Sequence, residues 1–140
     1  MTFLTPKDFD AQIREDQLMT ILGDDPTLLD EIELAVISEA ESYLRQRYLV
    51  SQVFAATDAN RFPILVLYLV DMVLYHLHSR INPRKVPDLR EKRYDMAIHW
   101  LQEVAKGRIS PDLPESCKTA DDIRWGSNRK LGNEWFGNGY

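Results

Sequence analysis

The sequence predicts an all-α fold: a small helical bundle of three main helices plus a short N-terminal helix, followed by an extended C-terminal arm. Three long segments carry apolar residues at three- and four-residue steps, the spacing of one face of a helix. Helix-starting and helix-ending residues bound the segments, and no pair of strand-like runs meets at a hairpin turn. Because the periodicity stops near residue 110, we divide the chain into a helical domain, residues 1–110, and an arm, residues 111–140.

The N-terminal part predicts a short helix and then the first long one. Thr5 is a typical N-cap, and Pro6 suits the first turn of a helix. After a break at a Gly-Asp-Asp-Pro sequence, a helix capped by Asp25 or Thr27 is expected to run to about Tyr48. Its apolar stripe is formed by Leu29, Ile32, Val36, Ala40 and Tyr43.

The segment from Pro63 to about Ile81 predicts a buried central helix. Its apolar residues point in every direction around a helix, so no face is left for solvent. We exclude a membrane span because roughly 20 apolar residues are needed for one and Asp71 lies at the centre of this run. The preceding residues, 49–60, give no partner signal for a strand and are expected to form a loop.

The last long helix is expected to begin at Asp88 and to end near Gly107. Asp88 is a suitable cap, and Glu91 three residues later would complete a reciprocal capping pair. Gly107 is placed to end the helix in a left-handed turn. The apolar face is formed by Tyr94, Ala97, Ile98, Leu101, Val104 and Ala105.

Asp71 is the one carboxylate inside the apolar central helix. A carboxylate in such surroundings is costly unless it is paired. We therefore predict a buried structural ion pair between Asp71 and an arginine, with Arg45, Arg47 or Arg93 as the partner. A catalytic acid is the alternative, but it would need a nucleophile or a second acid nearby, and none has a recognisable setting.

The motifs argue against an enzyme, a cofactor-binding protein or a metalloprotein. A single cysteine, Cys117, excludes an internal disulfide and a multi-cysteine zinc site. His76 and His78 are two residues apart, so they face opposite sides of a helix and do not form a metal-binding pair. The sequence contains no glycine-rich phosphate loop, no nucleophile elbow and no HExxH.

The net charge of −5 is unevenly distributed along the chain. Residues 1–58 carry twelve acids and four bases, net −8, whereas residues 59–110 carry five acids and nine bases, net +4. Opposite charges on two segments suit the association of like copies, and equally suit neutralisation within one fold. One basic patch, which would meet DNA, an acidic neighbour or solvent, is formed by Arg84, Lys85, Arg90, Lys92 and Arg93.

The C-terminal arm is rich in residues that anchor interfaces. It holds four of the six glycines and two of the three tryptophans. Glycine-rich sequence resists ordering alone, whereas large aromatic rings favour burial at an interface. We predict that the arm orders on a partner; a tail folded back on its own domain, or a disordered end, is the alternative. The predicted partner-binding residues are Arg124, Trp125, Trp135, Phe136 and Tyr140.

Four stretches of the chain carry a family resemblance: "LTPKDFD", "AESYLRQRY", "PILVLYLVDMVLYHLHSRI" and "LREKRYDMAIHWLQEVAKGRISPDLP". Together they resemble the small head–tail adaptor (connector) proteins of tailed bacteriophages, in particular the Mu-like neck adaptor group. The resemblance covers about residues 2–114, includes no catalytic signature and leaves the sequence from residue 121 to residue 140 unmatched. The residues that carry it are Tyr43, Arg47, Tyr48, Asp71, Tyr75, His78, Arg93, Tyr94, Ala97, Trp100, Leu101, Lys106 and Gly107.

The resemblance implies a structural virion protein without enzymatic activity or cofactor. It would be made in the host cytoplasm and would lie in the neck of the virion, as a homo-oligomeric, commonly dodecameric ring below the portal. The ring would line the DNA exit channel used in DNA ejection and join head to tail. Its partners would be the portal protein, a downstream neck or tail-completion protein and the packaged DNA, with no membrane involved.

Two other classes of function remain open from the sequence. The first is a nucleic-acid-binding regulatory helical protein that uses the basic patch at residues 84–93. The second is a small helical enzyme with Asp71 at its centre. Salt-dependent DNA binding by the isolated chain would favour the first, and a wide pocket around Asp71 would favour the second.

Overall fold

The computed structural model describes residues 3–23, 25 and 27–116, and this part of the chain is an all-α bundle. The only β-type pairing among these residues is an isolated bridge between Tyr48 and Glu115. The all-α prediction is confirmed. In chain order the helices are α1 (Pro6–Phe9), α2 (Glu15–Leu22), α3 (Leu28–Leu44), α4 (Val50–Val53), a 3₁₀ turn (Asp58–Asn60), α5 (Pro63–Ile81) and α6 (Asp88–Ala105).

The N-terminal region contains two short helices where the sequence analysis placed one. Thr5 begins α1 as expected, and its amide donates to the Asp8 carboxylate at 2.6 Å. The chain then leaves the helix and re-enters it at α2, with Arg14 as an extended N-cap residue. Arginine has no capping oxygen, so nothing in the local sequence marks this second helix start.

The loop predicted for residues 49–60 contains α4 and the 3₁₀ turn. Helix α3 also ends earlier than expected, at Leu44 instead of about Tyr48. The reason is a long-range contact: the Leu49 amide donates to the Pro114 carbonyl at 2.8 Å, and Tyr48 pairs with Glu115. This pairing draws the chain out of helical geometry before the apolar pattern stops.

Helix α5 is the centre of the bundle and has the predicted bounds, Pro63–Ile81. It packs against α1, α2, α3 and α6. By length and composition alone α5 could cross a membrane, but its packing and its buried carboxylate are those of a core helix. The residues of α5 that are buried are Leu65, Leu69, Val70, Asp71, Met72, Val73, Leu74 and Leu77.

The start of α6 differs from the predicted capping pair. Pro87 occupies the N-cap position and Asp88 is already the first helical residue, so Asp88 does not cap the helix. The Pro87 carbonyl accepts hydrogen bonds from the amides of Arg90 and Glu91, at 3.0 and 3.2 Å. Proline offers no side-chain oxygen, and the helix therefore starts without a side-chain cap.

The end of α6 is the left-handed turn that Gly107 predicts. Gly107 has φ +80°, and its amide donates to the Val104 carbonyl at 3.0 Å, while the Arg108 amide donates to the Glu103 carbonyl at 2.9 Å. These two bonds form a Schellman motif. The guanidinium of Arg47 covers this turn, and a Cβ at residue 107 would lie 3.1 Å from its Nη1. Gly107 is therefore required both for its conformation and for the close approach of Arg47.

The helical domain extends beyond the predicted boundary at residue 110. Leu113 is buried, and the Ser116 amide donates to the Arg47 carbonyl at 3.1 Å. Together with the Leu49–Pro114 hydrogen bond, these contacts attach residues 111–116 to the chain that follows α3. The first residues assigned to the arm thus belong to the folded unit.

Candidate functional site

Asp71 is buried and paired with an arginine of α6. Its side chain is 2% exposed, and its Oδ1 accepts a hydrogen bond from the Arg93 Nε at 2.9 Å. Burial raises the pKa of the Asp71 carboxyl above its ordinary value, and the hydrogen bond and charge of Arg93 lower it in part. The pair joins α5 to α6 in the middle of the bundle. Because the Asp71 carboxylate is so deeply buried, a substrate has no open path to it.

Arg45 and Arg47 are not partners of Asp71, which corrects two of the three arginines named from the sequence. Both are exposed residues that follow the end of α3. Arg45 lies 3.6 Å from Glu41, one turn back along the same side of the chain, and Arg47 covers the turn at Gly107. Because α3 ends at residue 44, neither side chain projects from the helix face that packs on α5.

The five bases predicted at residues 84–93 do not form one surface patch, because they lie on different sides of the α5–α6 turn and of α6. Arg84 and Lys85 are exposed on the turn between α5 and α6, and Lys92 is exposed on α6. Arg90 and Arg93 instead lie on the row of residues that continues to Ala97 and faces α5. Arg90 is therefore a buried residue, and Arg93, with a side chain 33% exposed, is engaged by Asp71, so neither is a freely exposed member of the patch.

Arg84, Lys85 and Lys92, which we call the basic surface, remain available for a partner. The described part of the chain places no carboxylate within ion-pair distance of any of the three. Arg80, exposed in the last turn of α5, adds a base that the sequence analysis did not single out. The sequence signal for Arg80 was its position in the last turn of a helix, where the negative end of the helix dipole favours a cation.

A second surface, the acidic groove, lies where α1, α2 and α3 meet. It has a volume of about 310 Å³ and is lined by Asp10, Glu15 and Lys7 together with exposed Met19. In the described residues neither Asp10 nor Glu15 has an ion-pair partner. The groove therefore combines an excess of negative charge with an apolar floor.

The acidic and basic segments are joined inside the fold by an ion pair that the sequence did not indicate. Arg61 Nη1 lies 2.6 Å from Asp8 Oδ2, and both side chains are nearly buried. The same Nη1 donates to the Phe3 carbonyl at 2.9 Å. Burial by itself would raise the pKa of the Asp8 carboxyl, but the hydrogen bonds from Arg61 and Thr5 lower it below its ordinary value of 3.8.

This pair predicts a pH dependence of stability. Because the pKa of Asp8 is lower in the folded chain than in the unfolded chain, its contribution is complete above the ordinary pKa and is lost as the pH falls through the folded value. Asp8→Asn is expected to lower the free energy of unfolding at pH 7 by about 1.5–3 kcal/mol. Chemical denaturation of both proteins from pH 7 to pH 2.5 measures the difference, which should shrink below about pH 4; a difference independent of pH would contradict the assignment.

The predicted arm residues Arg124, Trp125, Trp135, Phe136 and Tyr140 lie outside the described residues, as does Cys117. The comparison with protein families bears on part of this region. The family model "Bacteriophage Mu, Gp36" matches residues 3–126, most of the chain. The chain belongs to this family.

Membership in the Mu Gp36 family makes the chain a protein of a Mu-like bacteriophage, of the structural or morphogenesis class and associated with the virion. The match extends through Trp125, so the family pattern includes sequence beyond residue 114, where the resemblance found by inspection stopped. Searches of curated proteins and of solved structures found no match for the chain.

Proposed function

We propose that this Mu Gp36 family protein is a head–tail connector. Copies of the chain form a ring below the portal, line the DNA exit channel and join the head to a downstream neck or tail-completion protein. In this proposal the protein acts through assembly contacts and not as an enzyme. Membership in a phage structural family and a small helical bundle support it, as does the aromatic sequence of the C-terminal arm.

One observation carries the proposal: the chain presents two unlike surfaces with opposite charge. The basic surface lies at the α5–α6 turn and on α6, and the acidic groove lies between α1, α2 and α3. A ring of identical subunits needs a heterologous interface, in which one surface of a copy meets a different surface of the next. A basic surface and an acidic groove on the same chain satisfy that requirement, with Ile81, 55% exposed beside the basic turn, available for apolar contact.

The charge-reversal variant Arg84→Glu/Lys85→Glu tests this interface. Both bases are exposed and have no described carboxylate partner, so the monomer should keep its helix content. Association of the chain should weaken by about tenfold or more, because attraction to the acidic groove is replaced by repulsion. Association of the unchanged protein should also weaken as salt rises from about 0.1 M to 0.5 M. Sedimentation velocity measures both effects.

The control variant Lys106→Glu/Arg108→Glu changes two exposed bases at the opposite end of α6. The two basic side chains are 58% and 68% exposed, and their contacts with Glu103 are long, 4.0 and 3.4 Å, so they contribute little. It should associate like the unchanged protein. If the Arg84→Glu/Lys85→Glu variant associates as strongly as the unchanged protein, the basic surface contacts only solvent or DNA, and the proposed interface is wrong.

The nucleic-acid-binding alternative is less well supported by these surfaces. Two of the five bases assigned to its patch, Arg90 and Arg93, face α5. The three that stay exposed belong to a chain with a net charge of −5, whereas nucleic-acid binding needs a basic footprint that displaces counterions. In the connector proposal, packaged DNA meets such bases only as it passes along the channel.

A further inference from the structure

A second groove lies between α2 and the start of α6, on the side of α2 opposite to the acidic groove. Its volume is about 460 Å³, within the range of small-ligand and peptide side-chain pockets. The apolar part of the lining comes from Ile13, Ile21 and Leu89, and the polar part includes Gln17, His78 and Arg90. Leu89 is 60% exposed, so a large apolar side chain stands at the edge of the groove without cover.

Arg90 is a buried cation in this groove with an incomplete set of partners. The residue is 9% exposed, and its Nη2 donates to the Gln12 carbonyl at 2.8 Å. Its Nη1 is also buried and has no hydrogen-bond partner among the described residues. Asp71, the nearby carboxylate, is engaged by Arg93 at 2.9 Å. A buried charged group without a complete set of partners is rare and costly, so an anionic group that paired with Arg90 would be favoured.

The start of α6 adds to the preference of this groove for a carboxylate. Because Pro87 cannot cap the helix, the amides of its first turn receive no side-chain cap. The positive end of the helix dipole therefore points toward the groove edge, beside Arg90. Asp16 also lines the groove, but Arg14 already donates to its carboxylate at 3.1 and 2.7 Å.

The chain contains a segment with the matching chemistry. Glu134 is directly followed by Trp135 and Phe136, and it is the only charged side chain between residues 131 and 140. The described chain stops at Ser116, near the far end of α6. Helix α6 is about 27 Å long at 1.5 Å per residue, whereas the 18 residues from 116 to 134 span up to about 60 Å. The segment can therefore reach this groove.

We propose that the groove between α2 and α6 binds the Glu134-Trp135-Phe136 segment of the C-terminal arm. The Glu134 carboxylate pairs with the Arg90 guanidinium, and an aromatic ring packs against Ile21 and Leu89. Since Nη1 is covered in the structure, binding requires a rotamer change of the lining side chains, a common response at interfaces. This inference rests on the proposed docking role of the arm, and it identifies this groove as the site to which the arm binds.

Photo-crosslinking of the full-length chain tests the docking. The photoreactive residue p-benzoylphenylalanine, placed at Asn138 so that both aromatic anchors are kept, should crosslink to the peptides containing residues 13–21 or 87–90. Leu89→Asp should lower the yield about tenfold by placing a charge at the apolar edge and beside the incoming carboxylate. The control Met96→Asp changes an α6 residue of similar exposure, 58%, outside this groove and should leave the yield unchanged.

A second pair of variants tests the carboxylate. Glu134→Gln keeps the shape of the side chain and should lower the yield several-fold, whereas Asp121→Asn, thirteen residues earlier in the arm, should not. Crosslinks to other parts of the chain, or equal yields for Leu89→Asp and Met96→Asp, would overturn the proposal. Mixing isotope-labelled with unlabelled chain tells whether the segment comes from the same copy or a neighbour. Groove crosslinks within one copy, without ring formation, would uphold the site while removing the ring.

Discussion

Replacing Asp71 by alanine is expected to lower the free energy of unfolding by about 3 kcal/mol, because removing one member of a buried ion pair leaves the other charge uncompensated. Arg93 would lose the carboxylate that lies 2.9 Å from its Nε. The nearby Arg90, only 9% exposed, would lose the favourable charge of Asp71, which partly offsets its burial. Two guanidinium groups would then share the α5–α6 contact with no carboxylate between them.

Thermal and chemical denaturation measure this loss, and a fall in melting temperature of roughly 10 °C is expected for a domain of this size. Glu41→Ala is the matched control, since it removes a carboxylate from an arginine pair that is exposed at the surface. Glu41→Ala should lower the free energy of unfolding by no more than about 0.5 kcal/mol. If Asp71→Ala melts like the unchanged protein, the Asp71–Arg93 pair does not hold α5 against α6.

The long helices could be predicted from the sequence because their signals are local and strong. Helix α5 has apolar residues on all sides and begins at Pro63, and both of its ends were found at the predicted residues. Gly107 likewise marked the end of α6, since a left-handed turn favours glycine. Signals of this kind need no information from the rest of the chain.

Contacts between distant residues account for most of the differences. The Arg61–Asp8 pair joins residues 53 apart in sequence, and the early end of α3 follows from pairing with residues 114–116. Neither leaves a local signal. The choice among Arg45, Arg47 and Arg93 as the partner of Asp71 was also undetermined, because any of them suited the chemistry and only the packing of α6 on α5 selects Arg93.

The basic patch is a different case, because the sequence did contain the missing information. Arg90 and Arg93 are three residues apart and continue the row that leads to Ala97 and Leu101, which belong to the predicted apolar face. Grouping the five bases by their closeness in sequence ignored the helix period. Applying that period would have separated the exposed bases from the two that face α5.

Deleting residues 121–140 is expected to abolish attachment of the chain to the portal-bound ring while leaving the helical domain folded. The helices and the buried core residues that the structure describes all lie within residues 3–116. Burying one large aromatic side chain is worth about 2–3 kcal/mol, so even two of the four aromatic anchors that the deletion removes would account for about a thousandfold weaker attachment. Far-UV circular dichroism should show an undiminished helix signal from residues 3–116.

A shorter deletion separates the two groups of anchors. Removing residues 127–140 keeps Trp125 and all of the sequence matched by the Mu Gp36 family model, but removes Trp135, Phe136 and Tyr140. The attachment of this variant should be weaker than that of the unchanged protein and stronger than that of the longer deletion. Full attachment of the longer deletion would show that the arm is not the docking element.

Electron microscopy of the full-length chain mixed with the portal protein of its phage tests the connector proposal most directly. The account predicts a closed ring of the chain below the portal and coaxial with its channel. In that ring the basic surface of each copy should face the acidic groove of the next. Particles of portal alone, with the chain remaining monomeric at concentrations far above those of assembly, would contradict it.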